Sequence, residues 1–294
     1  MTKRTVLFAS YNKQEKIENY VLTYLSELKR VAETIIFVAD NALLPSEMVK
    51  LSGLVDFAQA ERHGEYDFGS YKRGMAIARE NGVLDDSEEL ILCNDSCFCV
   101  APFSTVFKEM DSRECDFWGL VQSDVFQKHL QSYFLVFKKN CFENLEAFLN
   151  TVTRKNSLYE VVTSYETALT AHLEGFGYKS AAYMVAGKNE NPTKRPLKMM
   201  REHAFPLIKK KCFIEPSACD ESVKKVLKSL SSSVREDICV ALNCTKEKEI
   251  LHRLLYRRIK EFLFKKKTTL KGKTLIKICK IPVWSRKGKI NEKK

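Results

Sequence analysis

At 294 residues, with 45% hydrophobic and 29% charged side chains, the chain is long enough for one large globular domain with an appendage. It contains no apolar run of about eighteen residues and no small-residue cleavage site after Met1-Thr2-Lys3-Arg4, so neither a membrane span nor a leader peptide is expected, and a cytoplasmic protein is. The net charge of +12 belongs to the tail, where Lys246 to Lys294 hold 18 Lys and Arg against 4 Asp and Glu; the body is close to neutral, which argues against a nucleic-acid partner.

Thr5 to Tyr11 is a β-branched and aromatic run ending at Asn12, the pattern of a buried strand entering a loop. Ile17, Val21, Leu22, Leu25 and Leu28 then recur at threes and fours, predicting a helix from Ile17 to Val31. Thr34 to Asp40 is a second strand, and strand, helix, strand in that order predicts a right-handed crossover within a parallel sheet. A weak helix near Ser46 to Leu51, a short strand at Leu54 to Ala58, a helix from Ser70 to Glu80 and a strong strand at Glu89 to Cys93 continue the series. Asp116 to Leu120 and Ser132 to Phe137 read as strands forming an antiparallel or mixed edge. Helices at Phe142 to Thr151 and Tyr159 to Gly175 follow, then a strand at Ala181 to Val185. Beyond Pro216 the composition turns Lys-rich and helical, without a strong strand. The expected organisation is an α/β body over 1–215 and a basic, mainly helical tail over 216–294.

Open parallel sheets bind ligands beyond the carboxyl ends of their strands, which directs attention to Ser10, Tyr11 and Asn12, to Asp40, and to Asn94, Asp95 and Ser96. Between them lies Arg62-His63-Gly64-Glu65-Tyr66-Asp67-Phe68-Gly69-Ser70-Tyr71-Lys72-Arg73-Gly74, at a predicted helix start. Free helical N–H groups, a backbone opened by Gly69 and the cations Lys72 and Arg73 suit a diphosphate. The same residues equally suit a helix capped by Asp67 or Ser70 with its aromatics packed inside. Asp95 offers a carboxylate for a divalent metal bridging a nucleotide diphosphate, though Asn-Asp-Ser after a strand also makes an ordinary turn. The ten cysteines are scattered and do not complete a zinc set around Cys93, Cys97 and Cys99, so reduced thiols are expected.

Taken together, Phe8 to Asn12, Ile36-Phe37-Val38, Tyr66 to Gly74, Leu92 to Ser96, Cys115 to Leu120 and His129 to Phe137 resemble the rhamnan synthesis protein F family of bacterial polysaccharide assembly, over about residues 5 to 195. The resemblance implies a glycosyltransferase A-like fold, a mixed, mostly parallel sheet flanked by helices, here with a basic helical extension. It implies transfer of rhamnose or a similar sugar from a nucleotide diphosphate donor, dTDP-rhamnose-like, to a cell-wall or lipopolysaccharide glycan or a lipid-linked glycan. Asn94-Asp95-Ser96 stands where related folds place an Asp-x-Asp metal motif. Only one of its carboxylates is present, so Asp95 is left as the Mg²⁺ or Mn²⁺ ligand. The expected donor site is Ser10, Tyr11, Asn12, Asp40, Arg62, Asp67, Gly69, Ser70, Lys72, Arg73, Asn94, Asp95 and Ser96.

The general base of an inverting transfer must be a carboxylate beside the acceptor hydroxyl. Glu166 is the candidate, from the region where similar folds carry an acidic base, with Asp124 and Asp116 in reserve; the same residue also reads as a solvated carboxylate in the first turn of a helix. Trp118, His129, Gln131 and Ser132 are the candidate acceptor site, since sugars are gripped by polar groups beside an aromatic face, and His203 is a candidate late metal ligand. In the tail, Ile250, Leu251, Leu254, Leu255, Ile259, Phe262 and Leu263 form an apolar stripe among arginines and lysines. Such a helix suits an anionic membrane surface, or packs on the protein itself. The competing reading of the whole chain is a non-catalytic lipid-surface or nucleic-acid binding protein on an α/β scaffold.

Overall fold

The computed structural model describes residues 2–125, 127–187, 196–202, 204–215, 220–268, 273–278 and 281–287. Strand β1 (Arg4–Ser10) is buried along its whole length, as a central parallel strand covered on both faces must be. Helix α1 (Asn19–Leu28) turns Tyr20, Val21, Tyr24, Leu25 and Leu28 inward and returns the chain to β2 (Thr34–Ala39), parallel to β1. The short helix α2 (Pro45–Met48) precedes β3 (Phe57–Ala60). That strand starts later than the apolar pattern predicts because Asp56 accepts from the Ile35 N–H at 2.8 Å and from Lys29 at 2.9 Å, so pairing with β2 begins only at Phe57.

Helix α3 (Tyr66–Glu80) crosses the sheet, where Gly74 leaves room for the Leu7 side chain, and the one-turn α4 (Val83–Asp86) leads into β4 (Glu89–Asn94), parallel to β1. Strand β5 (Cys97–Cys99) and helix α5 (Ser104–Met110) come next, then β6 (Phe117–Ser123), β7 (His129–Leu130) and β8 (Phe134–Lys138). Strand β8 is not an edge: it inserts antiparallel between β4 and β6. Phe134 to Phe137 are all buried, the mark of a strand covered on both faces. Helix α6 (Phe142–Asn150), the short α7 (Leu158–Val161), a π-helical turn at Val162–Glu166 and α8 (Thr167–Gly175) lead to β9 (Ser180–Val185), parallel to β6. The resulting order, β3-β2-β1-β4-β8-β6 with β7 and β9 on β6, is the expected mixed, mostly parallel sheet flanked by helices.

One core lies on each face of the sheet. Phe68, Tyr71, Met75 and Ala78 of α3 meet Leu145, Leu149, Leu169 and Leu173 of α6 and α8 on one side. On the other, α1 and α5 share a core with the carboxyl-terminal helices. After α9 (Pro196–Glu202), strand β10 (Leu207–Lys209) pairs antiparallel with β5. Helices α10 (Asp220–Ser229), α11 (Ser232–Ala241) and α12 (Glu247–Leu263) then bring Val223, Val226, Leu227, Ile238, Ile250 and Leu254 into that second core. Thr23 of α1 donates to Asp237 of α11 at 2.9 Å, so packing runs straight through the break expected near residue 215.

Helices α10 to α12 account for most of the described tail, but its far end is extended where no strong strand is expected. Strands β11 (Phe264–Thr268), β12 (Lys273–Ile278) and β13 (Ile281–Lys287) form an antiparallel sheet of three. Lysines dominate the composition there, but Thr274, Ile276, Ile278, Ile281 and Val283 are β-branched and favour extended backbone. No helix among the described residues is long and apolar enough to cross a membrane.

Candidate active site

The two ends of the sheet differ chemically. At the amino-terminal ends, Arg4 Nε donates to Glu89 at 2.6 Å and its Nη2 to Asp111 at 2.8 Å, while the guanidinium lies 4.1 Å from the Phe107 ring centre. At the carboxyl-terminal ends of β1, β2 and β4, with the start of α3 and the loop after α6, a cleft of about 580 Å³ opens. Tyr11, Asp40, Arg62, Gly64, Tyr66, Asp67, Asp95, Arg154, Lys155 and Asn156 line it.

Its floor carries two carboxylates. Asp95 Oδ2 accepts from Ser10 Oγ at 2.9 Å and from the Tyr11 N–H at 3.0 Å, and its carbonyl accepts from Tyr20 OH at 3.0 Å. Asp67 Oδ2 accepts from Asn94 Nδ2 at 2.8 Å. Burial, then the charge of Asp95, pushes the Asp67 carboxyl up to about 7. Asp67 keeps some solvent contact, but at the bottom of a cleft protein atoms replace most of its water. Burial also raises Asp95, opposed first by the charge of Lys210 and then by the Tyr11 and Ser10 hydrogen bonds.

Strand β10 brings the counter-charges. Lys210 Nζ donates to Tyr20 OH at 2.6 Å, and Lys209 Nζ lies 4.4 Å from the Tyr133 ring centre, near enough to lower Asp67. Because β10 pairs with β5, Lys209 opposite Cys97, both lysines are tied to the chain just past Asp95. The wall after β3 is equally fixed: Asp40 Oδ1 accepts from the N–H groups of His63 and Gly64, each at 2.8 Å. Burial lowers the His63 pKa, and its Nε2 lies 3.0 Å from Ser70 Oγ.

The expected donor residues thus divide. Tyr11, Asp40, Arg62, Asp67 and Asp95 line the cleft; Ser10 and Asn94 hold its two floor carboxylates. Asn12 is clasped by Asn41, Ser96 is bonded to Asn94, and Ser70 serves His63. Lys72 and Arg73 are not among the lining residues: Lys72 donates to the Val152 carbonyl at 3.1 Å, and Arg73 is held by Glu65 at 2.6 Å and Glu61 at 3.1 Å. Gly69 opens no path to a ligand. It lets the 63–65 segment lie against α3, since a Cβ there would collide with Glu65 and His63. Neither Asp67 nor Ser70 caps α3, whose first residue is Tyr66.

Of the residues expected to serve the acceptor, Glu166 closes the π-helical turn and accepts from the Ser132 N–H at 3.2 Å, and it is not among the lining residues of the cleft. Its charge reaches Asp67, and π turns recur at functional sites. Asp124 follows β6 at the cleft end and is exposed. Asp116 precedes β6 at the opposite end, where it accepts from the Lys179 N–H and from Asn140, both at 2.7 Å. Trp118 is corrected to a core residue, 1% exposed and packed on Phe107 and Phe134. His129 is buried, with Nδ1 2.8 Å from the Gln127 carbonyl, and Gln131 and Ser132 are buried beside it. His203 lies outside the described residues.

Sequence reading missed Arg154, Lys155 and Asn156, Tyr20, Lys209 and Lys210. The first three sit in a polar loop with no periodicity, where two adjacent cations were the only signal. Lys209 ends a three-residue strand and Lys210 opens the 3-10 turn after it, both too short for a pattern. Among the described residues no three His, Cys, Asp or Glu side chains are grouped to hold a metal ion.

The match to known sequences decides the family. From residue 35 to residue 283 the chain matches rhamnan synthesis protein F. The chain belongs to the rhamnan synthesis protein F family. No curated protein matches it significantly. Among solved structures, this rhamnan synthesis protein F family member is similar to a 4-diphosphocytidyl-2C-methyl-D-erythritol synthase, with TM-score 0.44, 11% identity, and coverage of 68% of this chain and 99% of that one. It is also similar to a putative nucleotide-diphospho-sugar transferase from Desulfovibrio desulfuricans G20 (TM-score 0.40, 12% identity, 69% and 88% covered). A third likeness is to core-mannan synthase A from Aspergillus fumigatus in its Mn/GDP form (TM-score 0.34, 10% identity, 51% and 63% covered).

Proposed function

We propose that this chain transfers rhamnose or a similar sugar from a nucleotide diphosphate, such as dTDP-rhamnose, to a cell-wall or lipopolysaccharide glycan at the inner membrane face. The observation that carries the reading is the cleft itself: a carboxylate floor, a rim of Arg62, Arg154 and Lys155 and an exposed Tyr11, all at the carboxyl ends of parallel strands. Arg62 lies 5.4 Å from the Tyr11 ring centre, a pair suited to a flat nucleobase. The rim cations neutralise a leaving diphosphate. Glu166 takes the proton of the acceptor hydroxyl as the glycosidic bond forms, with Ser132 holding the carboxylate in place and Asp124 in reserve.

A Mg²⁺ or Mn²⁺ ion fits the donor set. Two oxygen ligands from Asp95 and Asp67 would hold it, with diphosphate and water filling the other positions, as suits a hard cation with few protein ligands. When bound, it offsets negative charge on the departing diphosphate.

The apolar stripe of α12 divides. Ile250 and Leu254 are buried in the body, whereas Leu255, Tyr256 and Ile259 are 49%, 66% and 48% exposed, among Arg257, Arg258 and Lys260. That outer half suits contact with an anionic bilayer carrying a lipid-linked acceptor.

The test is a thermal-shift panel of UDP, GDP, CDP, dTDP and dTDP-rhamnose, with and without Mn²⁺. A ligand at about a hundred times its Kd adds about 2.7 kcal/mol to the native state, a rise of several degrees. No shift with any of them overturns the proposal.

A further inference from the structure

Tyr66 has φ +58°, in the left-handed region that a bulky side chain adopts only at a cost. Gly64, two residues earlier, is at φ +69°, so at its other left-handed position this turn uses glycine. Glycine at 66 would give the same turn without the penalty. The ring is not there to fill a core either, since Tyr66 is 39% exposed and lines the cleft. Its surroundings over-determine the strained backbone: Glu65 is pinned by Arg73 at 2.6 Å and pressed against Gly69, and Asp67 is pinned by Asn94 at 2.8 Å. Strain kept this way collects where a site needs a particular side chain in a particular place.

We infer that Tyr66 is a specificity-determining residue whose ring is the platform for the sugar of a nucleoside diphosphate sugar, against which the C–H face of the pyranose stacks. The inference rests on the proposed reading of the cleft and names the part that senses the sugar rather than the nucleotide. Position favours the sugar. Tyr11, at the end of β1, already faces the Arg62 guanidinium and serves a nucleobase. Tyr66 instead adjoins Asp67, the floor carboxylate that feels the charge of Glu166, which is the side of the cleft where the transferred sugar must meet a base.

The experiment uses the full chain and two ligands measured by calorimetry: whichever nucleoside diphosphate in the panel raises the melting temperature most, and its hexose conjugate. In Tyr66→Gly and Tyr66→Asn, both able to adopt a positive φ, the nucleoside diphosphate binds within about twofold of the parent while the conjugate weakens roughly threefold to tenfold, the worth of one stacked ring. Tyr66→Phe keeps the ring and binds both ligands like the parent. The melting temperature of Tyr66→Asn rises by about 2–4 °C as the strain is released. If Tyr66→Asn binds the conjugate as tightly as the parent does, or if both ligands weaken equally, the inference is overturned while the cleft's reading stands. A lower melting temperature in both Tyr66→Asn and Tyr66→Gly overturns it too, by making the ring a packing element. A parent that binds neither ligand overturns the reading of the cleft and the inference with it.

Discussion

The two ends of one sheet treat charge in opposite ways. At the amino-terminal ends, Arg4 is matched to two carboxylates and stacked on Phe107, so the buried charge there is neutralised inside the protein. At the carboxyl-terminal ends, Asp67 and Asp95 share a floor with the Lys209 and Lys210 charges nearby, but among the described residues no direct ion pair neutralises the floor carboxylates. Paired charge of the first kind holds the fold together. The second kind leaves electrostatic energy that a ligand can release, at the expense of stability.

Substitutions at each end separate these roles. The largest effect is expected from Glu166→Gln, which lowers turnover roughly 10²–10⁴-fold with little change in melting temperature; an enzyme within a few-fold of the parent removes Glu166 as the base. Arg4→Met should do the reverse. It strands buried Glu89 without a partner, costing about 3–5 kcal/mol, and in denaturant melts it lowers the midpoint while the folded fraction keeps its activity; an unchanged midpoint would mean that Arg4 contributes nothing net.

Asp67 gives a pH-dependent version of the contrast. Its folded pKa, raised to about 7, means that the native state holds a proton the unfolded chain has lost between about pH 4 and 7. This group's contribution to stability therefore falls as pH rises through that window and stays lost above it. Asp67→Asn in metal-free protein should be more stable than the parent at pH 8, by on the order of 1–3 kcal/mol, and near parity at pH 4. Equal differences at both pH values would refute the assignment. The smallest effect is expected from Leu255→Ser with Ile259→Ser, which should weaken binding to phosphatidylserine vesicles several-fold without altering the melting temperature. These substitutions are cleaner than truncation before α12, which would strip Ile250 and Leu254 from the core.

Strands were legible where burial imposes an unbroken apolar run, as at Val6 to Ala9 and Ile35 to Ala39, and the site was legible where a strand ends in a short polar residue such as Asp40 or Asp95. The cations were not. Lys72 and Arg73 stand in a segment with every local mark of a phosphate site, yet the turn of α3 points them at Val152, Glu61 and Glu65. Arg154, Lys155, Lys209 and Lys210 reach the floor only through tertiary packing, which leaves no periodic trace. Trp118 was misread because an aromatic beside a glycine in a strand looks the same whether its face meets a sugar or, as here, Phe107 and Phe134.

The cysteines open a practical route to watching this molecule work. Cys93, Cys97, Cys99, Cys115, Cys141, Cys212, Cys239 and Cys244 are all buried, and burial raises the pKa of each thiol. Since the thiolate is the reactive form, alkylating dyes should pass these eight by. With Cys219 and Cys279 replaced by serine, one thiol introduced at Asn156 would carry a fluorophore at the lip of the cleft and report its filling in real time.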